Sequence, residues 1–262
     1  MEENARIEYC HFDIVVIGTG GTGGNYLRDL GRYIYGLSAN RRSNIRITIV
    51  DGDTVEQRNI GRQPFIADDV GENKAIVMAD ALSDVFGLVN VCAVPAYLEQ
   101  AGQIDRWVGT EKDRLTILVG CVDNHHARKI MHEYFSGFSK QKASGLGLFY
   151  LDSANEYSVG EVVTAISTPN GVIAPDRKYY YPDIFKGKLK RAAELSCQEV
   201  NEVMPQHIVT NVMAANLLLI QTIQIINGEL PCGGITYFDS MKQAVRFVEW
   251  SENIETGKKK CS

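Results

Sequence analysis

Asp13-Ile-Val-Val-Ile17 followed by Gly18-Thr-Gly-Gly-Thr-Gly23-Gly24 is the stretch that decides the fold. A short apolar run ending in glycines is the pattern of a first buried parallel strand. The glycines match G-x-G-x-x-G, and Thr22 to Tyr35 then takes helical spacing, with Tyr26, Leu27, Leu30, Tyr33 and Ile34 on the inward face. Gly18 permits the tight turn, Gly20 allows close backbone approach to a phosphate, with Gly21 beside it as a further binding candidate, and Gly23 lets the helix pack on the strand. Free N–H groups at the start of that helix favour an anion. The loop therefore predicts a nucleotide without saying which one. There is no G-x-x-x-x-G-K-[ST] pattern, so other residues must grip any triphosphate.

Outward from this loop, strand and helix patterns alternate. Strands are expected over Ile45–Val50, Val89–Val94, Leu115–Val119 and Leu148–Asp152, with helices over Glu72–Val85 and Asn124–Phe138. This order predicts an α/β fold, a doubly wound, mainly parallel Rossmann-like sheet. The second half changes character: Glu161–Ile166, Gly234–Phe238 and Ala244–Trp250 read as added antiparallel strands. Between them, residues 169–199 form a long connection containing Tyr179-Tyr180-Tyr181 and the cations Lys186, Lys188, Lys190 and Arg191. A link of that length is usually functional. One domain is expected over residues 12–250, with a solvated tail over 251–262.

The totals set the class. The chain has 262 residues, 45% hydrophobic and 23% charged, which is ordinary for one globular α/β domain. A net charge of −5 gives no reason to expect nucleic acid or a membrane surface as partner. The first twelve residues carry three acids and no secretory pattern. The apolar stretch His207–Ile226 is interrupted by Asn211, Asn216, Gln221 and Gln224, so it reads as a helix buried on most faces and not a membrane span. Six scattered cysteines without a CxxC pair suggest a reduced, cytoplasmic protein and no structural zinc.

The strand Ile45–Val50 ends in Asp51-Gly-Asp53 and continues through Asn59-Ile-Gly-Arg62-Gln63. A dinucleotide site needs only the first acid, to accept ribose hydroxyls. Here polar groups suited to a triphosphate follow it. Arg62 offers a planar fork for phosphate oxygens and Lys74 a compact point charge. Stabilising a departing pyrophosphate calls for several cations, usually helped by a metal. Asp123-Asn124 follows the strand Leu115–Val119, at the carboxyl end where open α/β sheets bind ligands. Asp123 suits Mg²⁺, which takes one or two carboxylates plus substrate phosphates; its other role is capping the helix that begins near Asn124.

Taken together these residues resemble the ThiF/MoeB/HesA family of adenylating enzymes, which activate ubiquitin-like proteins and sulfur carriers. The motifs are Gly18 to Gly23, Asp51-Gly-Asp53 through Asn59, Arg62 and Gln63, Gly71-Glu-Asn-Lys74-Ala75, and Cys121-Val-Asp123-Asn124 with Arg128. The resemblance runs from about Phe12 to Trp250, and the second half looks nearest the ThiF-like proteins of the PRTRC plasmid-associated system. It implies ATP and Mg²⁺ as ligands, with Asp51 on the ribose, Asn59, Arg62 and Lys74 on phosphates, and Asp123 on Mg²⁺. It also implies a homodimer and a small ubiquitin-like or sulfur-carrier partner whose C-terminal glycine is adenylated.

Cys197 falls where some members carry a cysteine that captures the activated carboxyl group. A reactive thiol needs nearby cations or a helix N-terminus; Lys186 to Arg191 and the helix that follows supply both, against the common buried and inert cysteine. Arg6 is the sole candidate for an arginine reaching a partner subunit. His125, His126, His132 and Cys121 make a metal site only on paper, because adjacent histidines on a helix diverge. Two other functions compete with adenylation: an NAD(P)-dependent oxidoreductase, which leaves Arg62, Lys74 and Asp123 unexplained, and a non-catalytic nucleotide-binding scaffold. A small-molecule or RNA-borne carboxylate is an alternative substrate to a protein tail.

Overall fold

The computed structural model describes residues 11–111, 113–138, 147–186 and 207–251. Its strands are β1 (His11–Ile17), β2 (Ile45–Val50), β3 (Val91–Val94), β4 (Arg114–Gly120), β5 (Gly147–Asn155), β6 (Val159–Thr168), β7 (Gly171–Ala174), β8 (Gly234–Asp239) and β9 (Ala244–Glu249). The helices are α1 (Gly21–Tyr35), α2 (Ala39–Ser43), α3 (Lys74–Phe86), α4 (His125–Phe138), α5 (Arg177–Tyr180) and α6 (Ile208–Ile226). The strands form one sheet in the order β3-β2-β1-β4-β5-β6-β8-β9, with β7 beside β6. Pairing is parallel from β3 to β5 and antiparallel beyond. The fold is thus the mixed, Rossmann-like α/β sheet that the alternation of patterns predicts.

Alternation along β1 builds two cores. Ile14 and Val16 face one side, with Tyr26, Leu27 and Leu30 of α1, Met78 and Leu82 of α3, and Leu218 of α6. Val15 and Ile17 face the other, with Ile130, Met131 and Phe135 of α4. Burial on both faces is why these strands are continuously apolar.

Four expectations need correction. β3 begins at Val91, because Val89 lies outside the sheet and is 89% exposed. Tyr33 is only half-buried on α1; its hydroxyl donates to Asn227 Oδ1 at 2.9 Å. α6 buries one face only (Thr210, Asn211, Ala214, Ala215, Leu218, Thr222, Ile225 and Ile226), while Ile208, Val209 and Ile220 are exposed. It is long and apolar enough to cross a membrane by length and composition, yet its buried face packs on α1, β5 and β6. Finally, the connection expected over 169–199 starts with β7 and α5, and α5 is tied down by the buried Arg177. Cys197 and the tail beyond Ser251 lie outside the described residues.

Candidate functional site

The strand order reverses between β1 and β4: the chain leaves β1 for β2 and β3 on one side and returns to β4 on the other. In open α/β sheets the crevice at such a point receives ligands. Gly18 ends β1 there with φ +92°, and a Cβ on it would stand 2.7 Å from the Cys121 carbonyl oxygen. A Cβ on Gly23 would come within 2.0 Å of the Gly18 carbonyl, so α1 packs this closely only on glycine. A Cβ on Gly20, by contrast, would have Gln63 Nε2 as its nearest neighbour at 3.8 Å, whereas one on Gly21 would stand 2.2 Å from Asn211 Nδ2.

A cavity of about 810 Å³ opens at this point. Every residue singled out for nucleotide binding among those described lines it except Gly23, which lies behind the loop as the packing glycine. Asp51 is folded under the glycine loop. Its Oδ2 accepts the Thr19 N–H at 2.7 Å and the Thr19 hydroxyl at 2.8 Å, and its Oδ1 accepts the Asp53 N–H at 2.9 Å. Burial raises its pKa above the usual carboxylate range, and the neighbouring Asp53 charge adds to this while Lys74 opposes it.

Asn59 is buried and holds a 3-10 turn: its Oδ1 accepts the Glu56 N–H at 2.8 Å. Its carbonyl then accepts the N–H groups of Arg62 (3.0 Å) and Gln63 (2.9 Å), which fixes both at the cavity wall. Gln63 Oε1 is buried with no hydrogen-bond partner among the described residues. Arg62 is half-buried and makes no ion pair within the described residues.

Lys74 is the first residue of α3 and only 5% exposed. Asn73 caps the helix, accepting from the Ala75 N–H at 2.9 Å, and its Nδ2 donates to the carbonyls of Asp51 and Asp53 at 3.0 Å each. The cap therefore locks the lysine onto the end of β2. Lys74 Nζ meets Asp53 Oδ2 at 3.2 Å, and the Tyr97 hydroxyl donates to Asp53 Oδ1 at 2.6 Å.

Across the cavity Asn124 is the helix cap, its Oδ1 accepting the Ala127 N–H at 2.8 Å. That leaves Asp123 exposed, lining the cavity and free of capping duty. Behind them lies a buried charge network. Asp152 takes Arg128 Nε at 3.3 Å and Arg177 Nε, and Arg177 also pairs with Glu161, which accepts the Tyr181 hydroxyl. Burial lowers the pKa of the nearby His125, and the charges of Arg128 and Arg177 lower it further. Burial pushes the Cys121 thiol up to about 12, so it is neutral.

The histidines do not converge: His132 bonds Asp176 at 2.5 Å and His126 stands 3.9 Å from Glu99. Among the described residues no three His, Cys, Asp or Glu side chains are grouped to hold a metal. One exposed carboxylate is nonetheless what Mg²⁺ needs when phosphates supply its other oxygens. Of the cations near Cys197, Lys186 is described; it is exposed and pairs with Asp183 at 2.5 Å. Sequence reading missed Thr19, Tyr97, Asn155 and Arg177. Asn155 Nδ2 donates to Asn211 Oδ1 at 2.7 Å, joining β5 to α6 beside the glycine loop, and no local motif announces such a pair.

The chain resembles known proteins in the same sense. Solved structures with a similar fold include PaaA (19% identity, TM-score 0.60, covering 91% of this chain and 64% of that one). Another is E. coli MccB with ATP (18%, TM-score 0.60, covering 90% and 63%). MccB with AMPCPP and MccA is similar again (16%, TM-score 0.57, covering 90% and 63%). The chain spans less than two thirds of the length of these relatives, and identities this low establish a shared fold. No curated protein sequence matches it. The ThiF family profile matches residues 3–261. A match over nearly the full length, on a chain whose glycine loop, acidic strand end and two cations line one crevice, means that the protein belongs to the ThiF family.

Proposed function

We propose that the protein binds ATP with Mg²⁺ and adenylates a carboxylate. The observation that carries this reading is the convergence of Arg62, Lys74 and Asp123, from three separate segments, on the cavity that the glycine loop opens. A dehydrogenase has no use for that set. Asp51 spends three acceptor sites on Thr19 and Asp53, and a carboxylate has about four, so one is left for a ribose hydroxyl. Arg62, Lys74, Asn59 and Gln63 hold phosphate oxygens, and Gln63 Oε1, without a hydrogen-bond partner among the described residues, is available to a ribose or bound-water hydrogen. Asp123 would hold Mg²⁺, which would supply positive charge to the triphosphate. A carboxylate oxygen attacks the α-phosphorus, the bond to the bridging oxygen breaks, and pyrophosphate leaves. The protein supplies no nucleophile for this step; it aligns the reactants and neutralises developing charge.

The carboxylate belongs to the tail of a small protein or peptide, best a ubiquitin-like or sulfur-carrier protein ending in glycine. MccB, solved with MccA, gives that reading a parallel among proteins of this fold. Cys197 then attacks the acyl-adenylate carbonyl as thiolate, forming a thioester and releasing AMP. The enzyme works as a homodimer in the cytoplasm, in the PRTRC branch of the family. ATP–pyrophosphate exchange with candidate carboxylate substrates tests the reaction. Arg62→Ala and Asp123→Ala are each expected to cut exchange by about 100-fold or more. Exchange that persists in either variant removes that residue from its role, and tight ATP binding without exchange for any substrate points to a scaffold instead.

A further inference from the structure

Gly52 stands between Asp51 and Asp53, and the structure gives a reason for it that lies far along the chain. A Cβ at residue 52 would lie 2.6 Å from Tyr97 Cγ and 2.7 Å from both Cδ atoms. Real side-chain carbons do not approach so closely, so the Tyr97 ring occupies the space a side chain at 52 would need. Tyr97 follows β3, whose register on β2 pairs Val94 with Val50, so the third strand delivers the ring to the end of the second. Its hydroxyl then donates to Asp53 Oδ1 at 2.6 Å, while the other oxygen of the same carboxylate holds Lys74 Nζ at 3.2 Å. Tyr97, Asp53 and Lys74 all line the cavity.

We propose that Tyr97 is a positioning residue for the phosphate-binding Lys74, acting through Asp53. The inference rests on the nucleotide reading above. The Asp53 side chain is 37% exposed, against 7% for Lys74, so the carboxylate has freedom to turn toward solvent that the ammonium lacks. Asp53 is the ion-pair partner of Lys74 among the described residues, and a lysine stem has several rotamers. The phenol hydrogen bond fixes the carboxylate plane, and the fixed plane aims the ammonium along the cavity wall. It also draws charge from Asp53, which weakens its competition with a phosphate for the same ammonium. Without the hydroxyl, the ring still packs on Gly52, but the carboxylate turns toward solvent and no longer aims the Lys74 ammonium.

The experiment is equilibrium binding of ATP·Mg²⁺ and of adenosine, by calorimetry, to wild type, Tyr97→Phe, Asp53→Asn and the double variant. Tyr97→Phe is expected to weaken ATP about tenfold and adenosine less than about twofold, the size of one lost hydrogen bond to a charged group. In the Asp53→Asn background the Phe change is expected to add less than about twofold, because its route to Lys74 is already cut. Unchanged adenosine affinity also serves as the check that the variant is folded. Equal loss for ATP and adenosine gives Tyr97 a merely structural part and overturns the proposal, as does unchanged ATP affinity. A full tenfold effect in the double variant overturns the route through Asp53. Failure of the wild type to bind ATP overturns the nucleotide reading itself, and this inference with it.

Discussion

Asp51 carries a cost that its position imposes. It lies under the glycine loop with Asp53 two residues away, and burial followed by that like charge raises its pKa. A carboxyl whose folded pKa is raised favours folding only while it is protonated. Its contribution is whole below the unfolded value, near 3.9, and is lost as pH rises through the folded value. Asp51 therefore contributes a downward slope of stability from about pH 4 upward, levelling once the folded-state carboxyl is ionised. Subtracting the stability of Asp51→Asn from that of the wild type isolates this slope from the other acids. Urea unfolding across a pH series is expected to give a difference that falls with rising pH. A difference that stays level or climbs removes the claim. Asp51, Arg62, Lys74 and Asp123 are legible in the sequence because each sits at a fixed offset from a strand end or a helix start. Tyr97 is not, because what gives it meaning is a ring over Gly52 and a carboxylate at Asp53, 44 residues back.

Helix ends explain more of the site than helix faces do. α3 and α4 both begin at the cavity, and each starts with an asparagine cap beside a charged residue that lines it: Asn73 beside Lys74, Asn124 beside Asp123. In the second pair the capping role that the sequence offered to Asp123 belongs to Asn124, one residue on. The two roles separate by mutation. Asn124→Ala is expected to cost about 1 kcal/mol of stability, the usual value of an N-cap. Asp123→Ala, exposed and without a capping bond, is expected to cost less than about 0.5 kcal/mol while losing exchange activity. Thermal unfolding of the two single variants checks the order, and a larger loss for Asp123→Ala reverses the assignment. Helix existence was legible from apolar spacing, but two features were not. The apolarity of α6 suggested burial on most faces, yet spacing cannot say how many neighbours a helix has, and Ile208, Val209 and Ile220 are left exposed. The short α5 left no periodic signal; four residues make barely one turn, and a buried arginine pins it.

At the scale of the molecule, β5 is the seam. It pairs in parallel with β4 and antiparallel with β6, so Asp152 faces Gly120 on one side and Val163 on the other. The parallel half was legible as strand–helix alternation, and the antiparallel half as strands without helices. What joins them was not legible, since Asp152 looked like the polar end of a strand. It is fully buried and binds Arg128 of α4 and Arg177 of α5, 24 and 25 residues away. Those arginines are 4% and 3% exposed, and they tie to the seam the helix that carries the cap beside Asp123 and the segment that carries Tyr181. Removing the acid leaves two guanidinium groups in a space too dry to hydrate them. Asp152→Ala is therefore expected to destabilise the protein by about 3–5 kcal/mol, the range for breaking a buried pair. Glu161 shares Arg177 from a more exposed position, 18% against 1%, so water can replace part of what it gives. Glu161→Gln is expected to cost less than about 2 kcal/mol, in keeping with a hydrogen bond to a charged group that solvent can reach. Urea midpoints of the two variants measure the difference directly. Similar midpoints would mean that the charge network is not what holds the parallel and antiparallel halves together, and that the apolar cores do so alone.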